Sequence, residues 1–188
     1  MKRIFTGVRI EAQDKLIETI DEIKLELRKE NIRWVNTHNY HITLKFFGNT
    51  DEKRIEEICQ IFDKIAGDYK SFTIKVANTG VFIRKELPKI LWLDTFENEP
   101  LYKMADGIED SLFELGYNRE LRPFKAHLTI GGIRFLRDKK HFFEVIEKYK
   151  DEYLQHETID RFILFESVLK PGGPIYTELK SWKLSNEQ

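Results

Sequence analysis

The chain has 188 residues, 41% of them apolar and 13% aromatic with only 5 prolines, which suits one good-sized domain with a substantial core and excludes both intrinsic disorder and an independent second enzyme. Its 31 Lys/Arg against 32 Asp/Glu leave a formal net charge of −1, which by itself says little about partners. One cysteine, Cys59, excludes an intramolecular disulfide framework; with no charged-then-apolar leader and no apolar run near the roughly 18 residues of a membrane span, a soluble cytoplasmic protein with no membrane partner is expected.

Alternation and helical spacing predict, in chain order, a strand over 3–10, a helix over 14–30, a strand over 40–48, a helix over 51–66 and a strand over 71–80. Leu16, Ile17, Ile20, Ile23 and Leu27 share one face of the first helix. Ile55, Ile58, Cys59, Phe62 and Ile65 do so in the second, which makes Cys59 a core thiol rather than a nucleophile. A second series follows: strand 89–96, helix 100–116, strand 125–133, helix 137–153, strand 157–169, then a "PGGP" turn and a closing strand over 175–184. The order repeats at an offset of about 86 residues, from His41 to His127, which predicts an internal duplication with half-repeats at 1–85 and 86–188.

The third element of each series carries one tetrad, "HITL" at 41–44 and "HLTI" at 127–130. A given histidine is followed by apolar, Thr, apolar about 1% of the time at this composition, so two such cases among 5 histidines are informative where one alone is weak. Alternation in a strand turns His41 and Thr43 to one side and Ile42, Leu44 and Phe46 to the other. By the same parity His127 and Thr129 oppose Ala126, Leu128 and Ile130. If the duplication sets the two strands side by side about a pseudo-twofold axis, two imidazoles and two hydroxyls meet in one cleft. That set suits metal-free cleavage of a phosphodiester: a neutral imidazole takes a proton from water, an imidazolium gives one to the leaving oxygen, and the hydroxyls hold non-bridging oxygens.

These tetrads, with "HITLKFFG", "GVFIRKELPKILWLDT", "LRPFKAHLTI" and "SVLKPGGPIYTELKSWKL", resemble the two-histidine (2H) phosphoesterases over nearly the whole chain. Within them the likeness is to RNA 2′,3′-cyclic phosphodiesterases, also called 2′-5′ RNA ligases. The resemblance implies one bilobal α+β domain over 1–188 with mostly antiparallel sheets lining a central cleft. It implies opening of an RNA-terminal 2′,3′-cyclic phosphate to a 2′-phosphate without cofactor or metal, His41 acting as proton donor and His127 as proton acceptor. Relatives often carry an arginine five residues after the second histidine. Gly132 stands there in this chain, and Arg134, two residues on, is expected to cover part of that charge.

Further residues are candidate contacts to the substrate: Lys45 and Phe47, which share the His41 face by strand parity, and Phe124, Arg122, Lys125 and Tyr176 beside the second motif or the closing turn. Residues 119–140 carry a local charge of about +5, which favours an anionic ligand. His38, three before His41, faces away from it on a strand and lacks a ligand set for metal, and His141 and His156 read as surface residues. Three alternatives share the site: a phosphodiesterase for small cyclic nucleotides, 2′-5′ ligation as the reverse reaction, and a non-catalytic module that holds RNA ends. A monomer is expected.

Overall fold

The computed structural model describes residues 1–185; positions 186–188, the end of the second half-repeat, lie outside the described residues. The strands are β1 (Lys2–Arg9), β2 (Asn31–Trp34), β3 (His41–Thr50), β4 (Phe72–Arg84), β5 (Leu87–Phe96), β6 (His127–Phe135), β7 (Tyr153–Ile159), β8 (Arg161–Lys170) and β9 (Gly173–Lys183). The helices are α1 (Asp14–Glu26), α2 (Glu52–Ile65), α3 (Glu99–Phe113) and α4 (Lys139–Lys148). Asp51 and Asp138 start α2 and α4 by accepting, through their carboxylates, the backbone N–H of Arg54 and His141, each at 2.9 Å; such caps contribute about 1 kcal/mol each.

Two antiparallel sheets result, one in the order β3-β1-β8-β9 and the other β2-β6-β5-β4-β7. By position in the sheets β3, β1, β8 and β9 correspond to β6, β5, β4 and β7, with β2 added at one edge. The sequence halves do not each build one sheet, however. β4 crosses to pair with β5, and β8 crosses to pair with β1, so neither sheet is complete without strands from both halves. Ile4 and Ile42 of one sheet, Leu91 and Leu128 of the other, and the apolar stripes of all four helices share one buried core. Cys59 is part of the α2 stripe, half-buried against that core, and burial pushes its thiol pKa up.

Apart from shifts of up to four residues at element ends, such as the first helix closing at Glu26 and β4 running on to Arg84, the predicted elements differ from these in three places. The helix expected over 137–153 ends at Lys148, because Tyr153 pairs with Ala77 in β7. Spacing cannot show this: Phe142, Val145, Ile146, Tyr149 and Tyr153 continue a helical pattern through the turn. The strand expected over 157–169 is two strands in different sheets, divided at Asp160 with no glycine or proline to mark the break. The short β2 falls where no element was expected, between α1 and β3.

Gly7 is one position where the absence of a side chain is required. It lies opposite Thr43, and a Cβ there would come 2.5 Å from the Ile42 carbonyl oxygen. Gly7→Ala is therefore expected to destabilise the fold by about 1–3 kcal/mol, seen as a lower denaturation midpoint with the slope unchanged. An unshifted midpoint would show that β1 and β3 can separate freely at this point.

Candidate active site

His41 and His127 are the first residues of β3 and β6, and these two strands lie against one another across the junction of the sheets. Each tetrad ends in a β-bulge. On β3 the pairing passes from Thr43 opposite Gly7 to Lys45 opposite Thr6, leaving Leu44 unpaired. On β6 it passes from Thr129 opposite Trp92 to Gly131 opposite Leu91, leaving Ile130 unpaired. Both sites thus have the same construction: histidine, buried residue, threonine, then a bulged apolar residue anchored in the core, with Leu44 and Ile130 both buried.

The bulge reverses strand parity beyond it and corrects three expectations. Lys45 does not share the His41 face; it is 5% exposed, bonded to Glu109 at 2.6 Å, near Glu120 at 3.3 Å and donating to the Asn118 carbonyl at 3.2 Å. Phe47 turns to the core, edge-on to Tyr117 at 5.6 Å. Phe46, expected in the core, is 44% exposed with the Arg3 guanidinium 4.9 Å above its ring.

The two imidazoles are held alike. His41 Nδ1 lies 2.6 Å from the Asn39 carbonyl oxygen, and His127 Nδ1 lies 2.7 Å from that of Lys125, each two residues upstream. A carbonyl only accepts, so Nδ1 carries the proton on both rings and Nε2 is left for chemistry. Aromatic walls surround both. Phe5 lies 4.7 Å from the His41 ring and Tyr176 is edge-on at 5.0 Å. Phe82 is edge-on to His127 at 4.8 Å, with Trp92 at 6.2 Å and the Lys125 ammonium 4.0 Å over the Trp92 ring.

Burial in these walls disfavours the charged rings. It pushes the His41 pKa down to about 4, against its bond to Asn39 and with help from the charges of His127 and Arg9. The His127 pKa is lowered for the same principal reason, with the Lys125 charge adding and Asp94, its cross-strand partner, opposing. Because the fold tolerates the neutral ring better, the stability contributed by His41 is whole above its ordinary pKa and is lost as pH falls through about 4.

Of the other candidates, Tyr176 is brought to His41 and Lys125 to the Trp92 wall beside His127. Phe124 packs edge-on against Tyr102 at 5.0 Å, within the core cluster. Arg122 lines a separate cavity of about 180 Å³ with Asp106, Glu109 and Glu120. Arg134 is unpaired at a second β6 bulge, opposite β2, and exposed. It does not line the cavity of about 490 Å³ that borders Thr129, Gly132, Arg33 and Tyr176. The expected basic field is partly neutralised, since Arg119 pairs with Asp110 and Lys140 with Glu144. His38 is exposed in a 3-10 turn, His141 sits in the first turn of α4 and His156 in β7. Among the described residues no group of three or more His, Cys, Asp or Glu is placed to hold a metal ion.

Sequence reasoning did not single out Phe5, Phe82, Trp92 or Arg33. The apolar alternation of β1, β4 and β5 contained the first three, but only the crossing of strands between sheets sets them against the histidines.

The family model described as "LigT like Phosphoesterase" matches residues 8–92 and 94–176. The chain is 31% identical over 180 residues to the RNA 2′,3′-cyclic phosphodiesterase of Methanocaldococcus jannaschii, covering 96% of this chain and 99% of that protein. It is 31% identical to the Thermotoga maritima protein of the same name, covering 93% and 92%. Among solved structures, a Thermus thermophilus protein superposes with a TM-score of 0.79 at 22% identity, covering 99% of this chain and 100% of that one. Escherichia coli LigT complexed with 3′-AMP superposes with a TM-score of 0.71 at 21% identity, covering 97% and 98%.

Proposed function

Given that the chain belongs to the LigT-like phosphoesterase family, we propose that it hydrolyses 2′,3′-cyclic phosphodiesters at RNA ends to 2′-phosphomonoesters, using His41 and His127 without a metal ion. The observation that carries this is the matched pair of Nδ1-anchored imidazoles, each with a threonine two residues on, at two strands that meet. His127 Nε2 takes a proton from water as the water oxygen bonds to phosphorus. The bond from phosphorus to O3′ breaks, and His41 Nε2–H gives its proton to O3′, leaving a 3′-hydroxyl and a 2′-phosphate. Thr43 and Thr129 hydroxyls donate to the non-bridging oxygens, where charge gathers. A 5′-hydroxyl in place of water would make a 2′-5′ bond with the same two rings. RNA ends are favoured as substrate by the names of the relatives, and nucleotide binding by the 3′-AMP complex of a protein of the same fold. The assay is direct: an oligoribonucleotide with a 2′,3′-cyclic end should gain one water in mass and acquire a terminal 2′-phosphate by ³¹P NMR. A 3′-phosphate product, or none, would sink the proposal.

The lowered histidine pKa values make a further demand. The acid must be protonated, yet burial favours the neutral ring, so the anionic phosphate has to restore the proton as it binds. Binding an anion should then take up a proton. Sulfate, whose charge is constant over this range, is expected to bind up to roughly tenfold tighter per unit fall in pH between about 7 and 5. In the same titration the His41 ring resonance should move from a pKa of about 4 toward neutrality. A His41 that titrates at its ordinary value with and without sulfate would remove this link.

A further inference from the structure

We infer that Arg33 is the residue that holds the substrate phosphate at the Thr129 end of the cleft. In the pairing of β2 with β6, Arg33 stands directly opposite Gly132, and directly opposed residues of an antiparallel pair project from the same face. That face adjoins the site: Arg33, Gly132 and Thr129 border one cavity together with Trp34 and Tyr176, the flanking Ile32 packs on the core, and the cavity meets His41 through Tyr176 rather than through either imidazole. The bulge at Ile130 makes this so: without it, Gly132 would face away from Thr129.

Two glycines clear the space that the guanidinium occupies. A Cβ at Gly173 would come 2.7 Å from Arg33 Nη2, and Gly173 also has φ 136, a backbone region that favours glycine. Gly132 offers no side chain against it. Among the described residues the Arg33 guanidinium has no carboxylate within 4.0 Å and donates no hydrogen bond, although Lys45, Lys148 and Lys180 all find carboxylates. The cavity is bordered by Arg33 and Lys170 and by no Asp or Glu. An acid-free cavity with two cations concentrates anions, and a guanidinium matches two phosphate oxygens at once. Arg33 is also near enough to Tyr176 for its charge to be felt there, and Tyr176 is edge-on to His41. The cavity that Arg33 borders thus runs from Thr129 to Tyr176, which lies beside His41.

The identity of the anion rests on the proposed phosphodiesterase reaction; the site itself does not. The experiment measures inorganic phosphate affinity by NMR titration, and kcat/KM on a cyclic-ended oligoribonucleotide and on a 2′,3′-cyclic mononucleotide. It compares wild type with Arg33→Ala, Arg33→Lys and the double variant Arg33→Ala with Gly132→Arg. Arg33→Ala should weaken phosphate binding and lower kcat/KM on both substrates by roughly 10- to 100-fold, with thermal stability unchanged because the side chain is exposed. Arg33→Lys should recover part of this. Gly132→Arg should restore binding in the Ala background, since a Cβ there has room: among the described residues, its chain neighbours aside, it meets the Arg33 backbone oxygen alone, at 4.0 Å. Unchanged phosphate affinity in Arg33→Ala would overturn the inference, and a loss confined to the oligoribonucleotide would do so by moving Arg33 to a neighbouring phosphate. A wild type that fails to open cyclic ends, with phosphate affinity still dependent on Arg33, would refute the proposed reaction and uphold the anion site.

Discussion

Replacing His41 or His127 by alanine is expected to lower kcat on a cyclic-ended oligoribonucleotide by about 10²–10⁴-fold, the range for a positioned acid or base. In the proposed reaction each ring supplies one proton transfer through Nε2; its orientation comes from the bond from its Nδ1 to an upstream carbonyl. The two transfers belong to one displacement, so the double variant should be little worse than either single one. The substitutions also separate the roles. With a 4-nitrophenyl phosphodiester, whose leaving group needs no proton, His41→Ala should regain most of its activity and His127→Ala should not. The opposite pattern would exchange donor and acceptor, and full activity of either variant on RNA ends would end the acid/base assignment. Because His41 is packed against Phe5 and Tyr176, His41→Gln serves beside His41→Ala to keep the space filled.

Thr43→Val and Thr129→Val are each expected to cost about 10²–10³ in kcat, the loss seen when one donor to developing charge is removed. Valine keeps the branched shape that a strand favours and deletes only the hydroxyl. Both threonines are half-buried beside a bulge whose apolar residue is anchored in the core, so their direction is set by packing rather than by the substrate. The loss should therefore appear in kcat with KM little changed, because the hydroxyls matter most when the non-bridging oxygens carry added charge. A rise in KM at constant kcat would make them ground-state contacts instead.

Both predictions depend on the symmetry of the site, which has a structural cause. β4 and β8 exchange between the sheets, and this exchange supplies Phe82 to the wall around His127 and Phe165 to that around His41. The lowered pKa values of both rings follow from these walls, as does the requirement that an anion bring the proton back. Arg33 arrives by another route, on the short β2 that the first half adds to the edge of the other half's sheet.

Within the four residues of each tetrad the sequence was sufficient: alternation over so short a span sets histidine and threonine on one side and Ile42 or Leu128 on the other, and burial of the apolar residues makes any other orientation costly. The recurrence of the tetrad was legible for the same reason, since it is a local pattern. Beyond Leu44 and Ile130 parity failed, because a bulge is a property of a strand pair and appears only when the partner strand is in place. The extra residue on β3 buried Lys45, turned Phe47 toward the core and exposed Phe46, and the one on β6 turned Gly132 to the site. Asp160 likewise divides two strands without a glycine or proline, because the division arises from which sheet each side joins. Arg33 and Gly132 lie far apart in sequence and become neighbours only through the β2–β6 ladder. Alternation along a strand is local chemistry, whereas adjacency between strands is decided by the packing of the whole core.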